Sequence, residues 1–194
     1  MCGGRGTRLD SDAEKPLFEV AGRPMVDRVR DALADSRVET ARAVVSPQAP
    51  ATRDHLDGDL PLVETPGDGY VADLGVALDA VETPVLTVAA DLPLLAGDVV
   101  DDVLAAADGS TSVRVPAVLK TALGASTDAA ADSGWVPTGV NVVGDDGEDS
   151  VLRSWDARLA VNVNRRRDAE LAARVLAGTA GGNCRGGVEE ADGP

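Results

Sequence analysis

The chain has 194 residues, 44% of them hydrophobic and only 2% aromatic, so the core of its one domain has to be packed from Val, Leu and Ala. Asp and Glu number 33 against 18 Lys and Arg, which leaves a formal charge of −15 at pH 7 with Lys15 and Lys120 as the two lysines. Such a surface repels nucleic-acid phosphates and anionic lipid, excluding nucleic acid and membrane as partners and confining any bound phosphate to a local site.

The opening stretch, MCGGRGTRLDSDAEKPL, is a glycine loop. Closely spaced glycines let backbone N–H groups turn inward together and bind phosphate, above all in front of a helix N-terminus. Loops of this kind normally follow a β-strand. The position of this one therefore predicts a strand of about five to eight apolar residues ahead of Met1, with Met1 at its end and Cys2 entering the turn.

Further along, MVDRVRDALADS has helical periodicity, ARAVVS is a short β-branched run and ATRDHLDG a weak helix. LPLVET follows as a strand, YVADLGVALDAVE as a helix and PVLTVAAD as a nearly continuous apolar strand, the kind buried on both faces in a parallel sheet. AGDVVDDVLAAAD is a helix, VRVPAVL and GVNVVG are strands, RLAVNV is a late strand and RRRDAELAARVLAG closes as a helix. This alternation predicts an α/β fold: one doubly wound, mostly parallel, Rossmann-like sheet over residues 1–177, its first strand missing. Residues 178–194 are acidic, Gly-rich and without periodicity, and are expected to be a disordered tail.

Cys2 and Cys184 lie at opposite ends without metal-like spacing and are expected to be free thiols. His55 sits in a polar helix end and reads as solvated rather than catalytic. With no long apolar run and no basic-then-apolar leader, the expected location is cytoplasmic. The Asp-rich, Lys-poor balance suits a salt-rich cytoplasm, where ions screen carboxylate repulsion.

In open α/β sheets ligands bind beyond the carboxyl ends of the strands, and four places there carry chemistry. The first is Gly3, Gly4, Gly6, Thr7 and Arg8 followed by Lys15-Pro16. A bare glycine cluster is a turn, but the full G-G-x-G-T-R-x(6)-K-P pattern combines backbone donors with fixed cations and suits a triphosphate, the lysine facing charge that builds on the α-phosphate. The second is ETPGDGYVADL, where Gly67 and Gly69 allow backbone to approach a flat base edge, and Asp68 or Asp73 either caps the following helix or binds ligand. In the third, AADLP, Asp91 closes an apolar strand; it is either a cap for the next helix or a ligand for Mg²⁺, which takes a carboxylate beside phosphates. The fourth holds Asn141, Asn162 and Asn164, amides near strand ends that donate to phosphate or sugar and accept from a hydroxyl, with Asn164 equally placed to N-cap the last helix. Trp135 and Trp155 read as packing or loop anchors.

GGRGTR with KPL resembles the signature of nucleotidyltransferases that move an NMP from an NTP onto a phosphate acceptor. TPGDGYVADL, AADLPLL, VPTGVNVV and NVNRRRDAELAARVL narrow the resemblance, over residues 1–177, to the archaeal, haloarchaeal-like adenosylcobinamide-phosphate guanylyltransferases of the MobA-like superfamily. That resemblance implies transfer of GMP from GTP to adenosylcobinamide phosphate with release of pyrophosphate, a step of cobalamin biosynthesis, with Mg²⁺ as cofactor. It implies that Gly3, Gly4, Gly6, Thr7 and Arg8 cradle the phosphates, that Lys15 stabilises the α-phosphate, and that Asp91 sits at the metal. The 65–70 loop, with Thr65, Gly67, Gly69 and Tyr70, would face guanine, and Asn141, Asn162 and Asn164 would complete the nucleotide site. A second copy of the chain is a candidate partner. The alternatives are a molybdenum-cofactor guanylyltransferase, another small NTP transferase such as one acting on sugar 1-phosphates, and a non-catalytic nucleotide-binding module.

Overall fold

The computed structural model describes residues 1–2, 9, 13–127, 134–145 and 149–180. A one-turn 3-10 helix at Lys15–Leu17 leads into a small hairpin, β1 (Glu19–Val20) and β2 (Arg23–Pro24), and then α1 (Met25–Ala34). β3 (Ala43–Val45), α2 (Pro50–Leu56) and β4 (Leu62–Glu64) form a βαβ unit whose strands pair in parallel, Val44 opposite Val63. α3 (Tyr70–Asp79), β5 (Val85–Val88), α4 (Gly97–Ala106), β6 (Thr111–Pro116), α5 (Ala117–Leu123), β7 (Trp135–Val143), β8 (Ser150–Arg153) and α6 (Arg166–Ala180) complete the chain.

The second sheet has the order β5-β7-β6-β8. β6 and β8 are parallel, but β7 enters antiparallel to both β5 and β6. The α/β layering is the expected one: β3–β4 and β6–β8 pair in parallel, and the antiparallel pairings of this sheet are the two made by β7. β5 consequently lies at a sheet edge, and Val85 and Leu86 are only half-buried instead of covered on both faces.

Three other local expectations are corrected. VRVPAVL is not one strand: the ladder stops at Pro116, whose fixed φ serves as N-cap, and α5 starts at Ala117. RLAVNV is not a strand either, because Asp156 accepts a hydrogen bond from Arg158 N and starts a 3-10 turn over Ala157–Leu159. The closing helix runs on to Ala180, past the expected boundary at 177.

Met1 and Cys2 bridge the two sheets. The Met1 nitrogen donates to Val88 O at 2.9 Å, Ala90 N donates to Met1 O at 3.2 Å, and Cys2 N donates to Val44 O at 2.9 Å. Beside them the sheets part along a largely apolar cleft of about 830 Å³ that includes Val29, Val44, Val63, Ala77 and Leu86.

The core is aliphatic, as the composition requires. α1 and α4 contribute Val29, Val99, Val100 and Val103 to a cluster with Val113, Val115, Val136 and Val140 of the sheet. A second cluster joins α6 through Ala169, Leu171 and Ala172 to Val20 and Met25. A third cluster packs Val26 of α1 and Leu56 of α2 against Ala43 and Val45 of β3 and against Ala90, just past β5, and so fixes strand ends from which the site is built.

Candidate nucleotide site

Lys15 comes from the 3-10 turn after the glycine loop. Its Nζ donates to Asp91 Oδ2 at 2.5 Å and to Asn164 Oδ1 at 2.7 Å. Both partners of the ion pair are mostly withdrawn from water, with 17% and 15% of their side-chain surfaces exposed, so the charges are weakly screened. Asp91 follows the end of β5, and its carbonyl accepts from Val163 N at 2.9 Å, which draws the 160–164 segment alongside.

Asp91 is not the cap of the next helix. α4 starts only at Gly97, with Ala96 as its N-cap, and both Asp91 oxygens face the network instead. Asn164 likewise turns its side chain to Lys15. The capping of α6 falls to Asp168, a fully buried carboxylate that accepts from Asn164 N, Arg165 N and Ser126 N at 3.1, 2.9 and 2.8 Å. Asp168 thereby fixes the backbone that carries Asn164.

Asn162 completes the far side. Lys120 Nζ donates to its Oδ1 at 3.0 Å, and because an ammonium only donates, the Asn162 amide nitrogen must face the acceptors Thr138 O, at 2.7 Å, and Asp91 Oδ1, at 3.3 Å. Both lysines of the chain thus converge on one carboxylate, Lys15 directly and Lys120 through Asn162.

The loop between β4 and α3 faces this cluster across a cavity of about 500 Å³, whose lining includes Lys15, Asp91, Thr65, Gly67, Gly69 and Tyr70. That is the size of a small-ligand pocket. Asp73, in the first turn of α3, accepts from Gly67 N at 2.8 Å, while Gln48 Nε2 donates to Gly67 O at 3.0 Å. Gly67 has a φ of +78°, and a Cβ there would strike the Gln48 amide, so only glycine serves. Asp73 holds the loop as a backbone acceptor, and Asp68 is exposed.

Next to Lys15 in the chain, Glu14 reaches α2. Its carboxylate accepts from Ala51 N, Thr52 N and Thr52 Oγ1 at 2.8, 2.7 and 2.6 Å, capping a helix whose first residue, Pro50, has no N–H. Burial pushes the Glu14 carboxyl up, but the hydrogen bonds from Thr52 and Ala51 outweigh it and hold it below the ordinary glutamate value. The residue before Lys15 is pinned in this way.

The structure brings together Lys15, Asp91, Asn162 and Asn164, with the 65–70 loop across the cavity. Asn141 stays apart: it lies in mid-strand, flanked by Thr87 of β5 and Ser112 of β6, not at a strand end. Gly3, Gly4, Gly6, Thr7, Arg8 and Cys184 lie outside the described residues. Cys2 is a buried free thiol. His55 is exposed, as expected, and its Nε2 also bonds Asp27 at 2.8 Å, a contact of α1 with α2. Trp135 and Trp155 meet edge to face at 6.1 Å, with Arg153 over Trp135 and Trp155 largely exposed. Lys120, Asp168, Ser46 and Gln48 were not singled out as site residues by sequence pattern. Only Lys120 carried a signal, its rarity.

A family model described as the MobA-like NTP transferase domain matches residues 1–160. Adenosylcobinamide-phosphate guanylyltransferase of Methanocaldococcus jannaschii is 27% identical over 190 residues, 91% of this chain and 95% of the relative. The bifunctional protein GlmU of Pelobacter propionicus is 35% identical over 111 residues, 54% of this chain but 24% of that longer protein. Among solved structures, a nucleotidyl transferase from Methanothermobacter aligns with a TM-score of 0.66 at 18% identity, covering 91% of this chain and 94% of the other. A 4-diphosphocytidyl-2C-methyl-D-erythritol synthase from Anaerococcus prevotii aligns at 0.63 and 12% identity, over 88% and 93%. The chain belongs to the MobA-like NTP transferase family.

Proposed function

We propose that the chain transfers GMP from GTP to adenosylcobinamide phosphate, releasing pyrophosphate. The observation that carries the proposal is the Lys15–Asp91–Asn164 cluster sharing one cavity with the 65–70 loop, so that a fixed cation and a base-facing loop flank the same space. Support for the substrates comes from the near full-length similarity to the Methanocaldococcus guanylyltransferase.

In this mechanism an oxygen of the acceptor phosphate attacks the α-phosphorus of GTP in line, the bond from that phosphorus to the bridging oxygen of the β-phosphate breaks, and pyrophosphate leaves with the electron pair. No covalent intermediate forms. Catalysis is positioning and charge. Lys15 neutralises charge that grows on the α-phosphate, and Gly3, Gly4, Gly6, Thr7 and Arg8 hold the phosphates beyond it. Asn162 and Asn164 orient Asp91 and Lys15, while Lys120 holds the Asn162 side-chain amide and Asp168 the backbone N–H of Asn164.

Among the described residues no group of three or more His, Cys, Asp or Glu side chains is placed to hold a metal. A single carboxylate beside phosphates is nonetheless what Mg²⁺ takes in nucleotide sites, and Asp91 fits that pattern. Mg²⁺ held there by Asp91 would supply positive charge to the phosphates.

The protein is taken to act in the cytoplasm, as one domain through α6 with a tail beyond it; none of the described helices is long and apolar enough to cross a membrane. The test is pyrophosphate release from GTP with a panel of acceptors. Release with adenosylcobinamide phosphate supports the proposal; release only with molybdopterin or a sugar 1-phosphate reassigns the acceptor, and no release with any acceptor leaves a nucleotide-binding module. Light scattering of the same preparation reads whether a second copy is a partner.

A further inference from the structure

Buried hydroxyls among the described residues are almost all hydrogen-bonded. Thr52 donates to Glu14, Thr65 to Val45 O, Thr87 to Asn141 O, Thr111 to Asp108 O and Thr138 to Val113 O, and Ser126 accepts from Arg167. Ser46 is the exception: it is 5% exposed and its Oγ has no partner. A buried polar atom left unmatched demands a reason, and one reason is a ligand.

Ser46 is the first residue after β3 and lines the same cavity as Lys15 and Asp91. Its backbone is fixed, since its carbonyl accepts from Ala49 N at 3.0 Å. Two residues on, Gln48 grips Gly67 O, so the Ser46 turn is tied to the 65–70 loop, the part of the cavity that the proposed function assigns to guanine. The neighbouring hydroxyl, Thr65 Oγ1, is consumed by Val45 O at 3.1 Å and has its proton committed. The buried Ser46 hydroxyl is thus left on this wall with both its donor and its acceptor uncommitted.

We propose that the Ser46 hydroxyl is a specificity residue that hydrogen-bonds the edge of the guanine base. Guanine presents donors and an acceptor side by side, and a hydroxyl is able to match either. The inference rests on the reading of this cavity as the GTP site and adds the residue that holds the base.

Calorimetric titrations of wild type and Ser46→Ala with GTP and with inorganic triphosphate test it, together with the Tm of each protein without ligand. The variant is expected to bind GTP about tenfold more weakly, to bind triphosphate as the wild type does, and to melt no lower, since the hydroxyl makes no bond to lose. Unchanged GTP affinity overturns the proposal, as does equal weakening of GTP and triphosphate. A lowered Tm without ligand overturns it too, because the hydroxyl would then be structural. The two layers separate cleanly. A wild type that binds GTP no better than triphosphate removes the guanine-site reading and this inference with it, whereas a wild type that prefers GTP and a variant that does so equally removes Ser46 alone.

Discussion

Replacing Lys15 by Met keeps the apolar stem of the side chain and deletes the ammonium. In the folded chain that ammonium touches Asp91 and Asn164 with 17% of its side-chain surface exposed, so its field is little screened by water. Fixed donors in such sites are worth about 10²–10³ in turnover when the charge they face develops only in the transition state. Lys15→Met should therefore lower kcat for pyrophosphate release by about that factor, with the KM for GTP changed only a few-fold. A second, independent consequence follows. Without Lys15 the Asp91 carboxylate keeps the 3.3 Å contact from Asn162, and loss of the better partner at a mostly buried pair costs about 1–3 kcal/mol. For a chain of this size that lowers Tm by roughly 2–12 °C. Steady-state kinetics and thermal melts on the same preparations read both. Turnover near wild type would refute the role of Lys15, and a loss confined to KM would move it to ground-state binding.

Three further predictions concern other parts of the molecule. Asp91→Asn should abolish most activity while the fold melts cooperatively, and a chelator should stop the wild type; a fully active, chelator-resistant enzyme contradicts the metal role. Glu14→Gln should destabilise at neutral pH by about 1–2 kcal/mol, because a neutral amide serves the three donors of α2 poorly. Since the folded carboxyl titrates below its ordinary value, the stabilisation is present above the unfolded value and fades as pH falls through the folded one, so the gap between wild type and variant should close in acid; a pH-independent gap counts against the cap. The charge of −15 predicts a Tm that rises from dilute buffer to molar KCl, and a flat profile argues against carboxylate repulsion as a limit on stability.

Local pattern located most helices and the strands that carry the site, because amphipathic periodicity and β-branched runs are local properties. It also singled out Asp91, Asn162 and Asn164, each near the end of an apolar run, and Lys15 by its spacing from the glycine loop. What local pattern does not encode is pairing across the chain. β7 reads as an ordinary strand, and nothing in its own residues says that it inserts antiparallel between β5 and β6. RLAVNV has a strand's alternation, yet it is claimed as the strap beside Asp91 by the Val163 N–H. Asn141, in a similar apolar context to Asn162, ends in mid-sheet for the same reason. Lys120 lies in an apolar helical stretch and Asp168 three residues into a helix, positions whose meaning appears only when Asn162 and Asn164 arrive from elsewhere.

The placement of the two lysines has a consequence for covalent chemistry. In most proteins lysine amines are scattered over the surface, and acylating or aldehyde reagents modify them without touching function. Here the surface carries almost none: Lys120 is 5% exposed and Lys15 is the more open of the two, at the wall of the cavity. An amine-directed reagent applied to this chain is therefore in effect an affinity label without an affinity group, its lysine stoichiometry counting open sites and its slowing by GTP measuring occupancy.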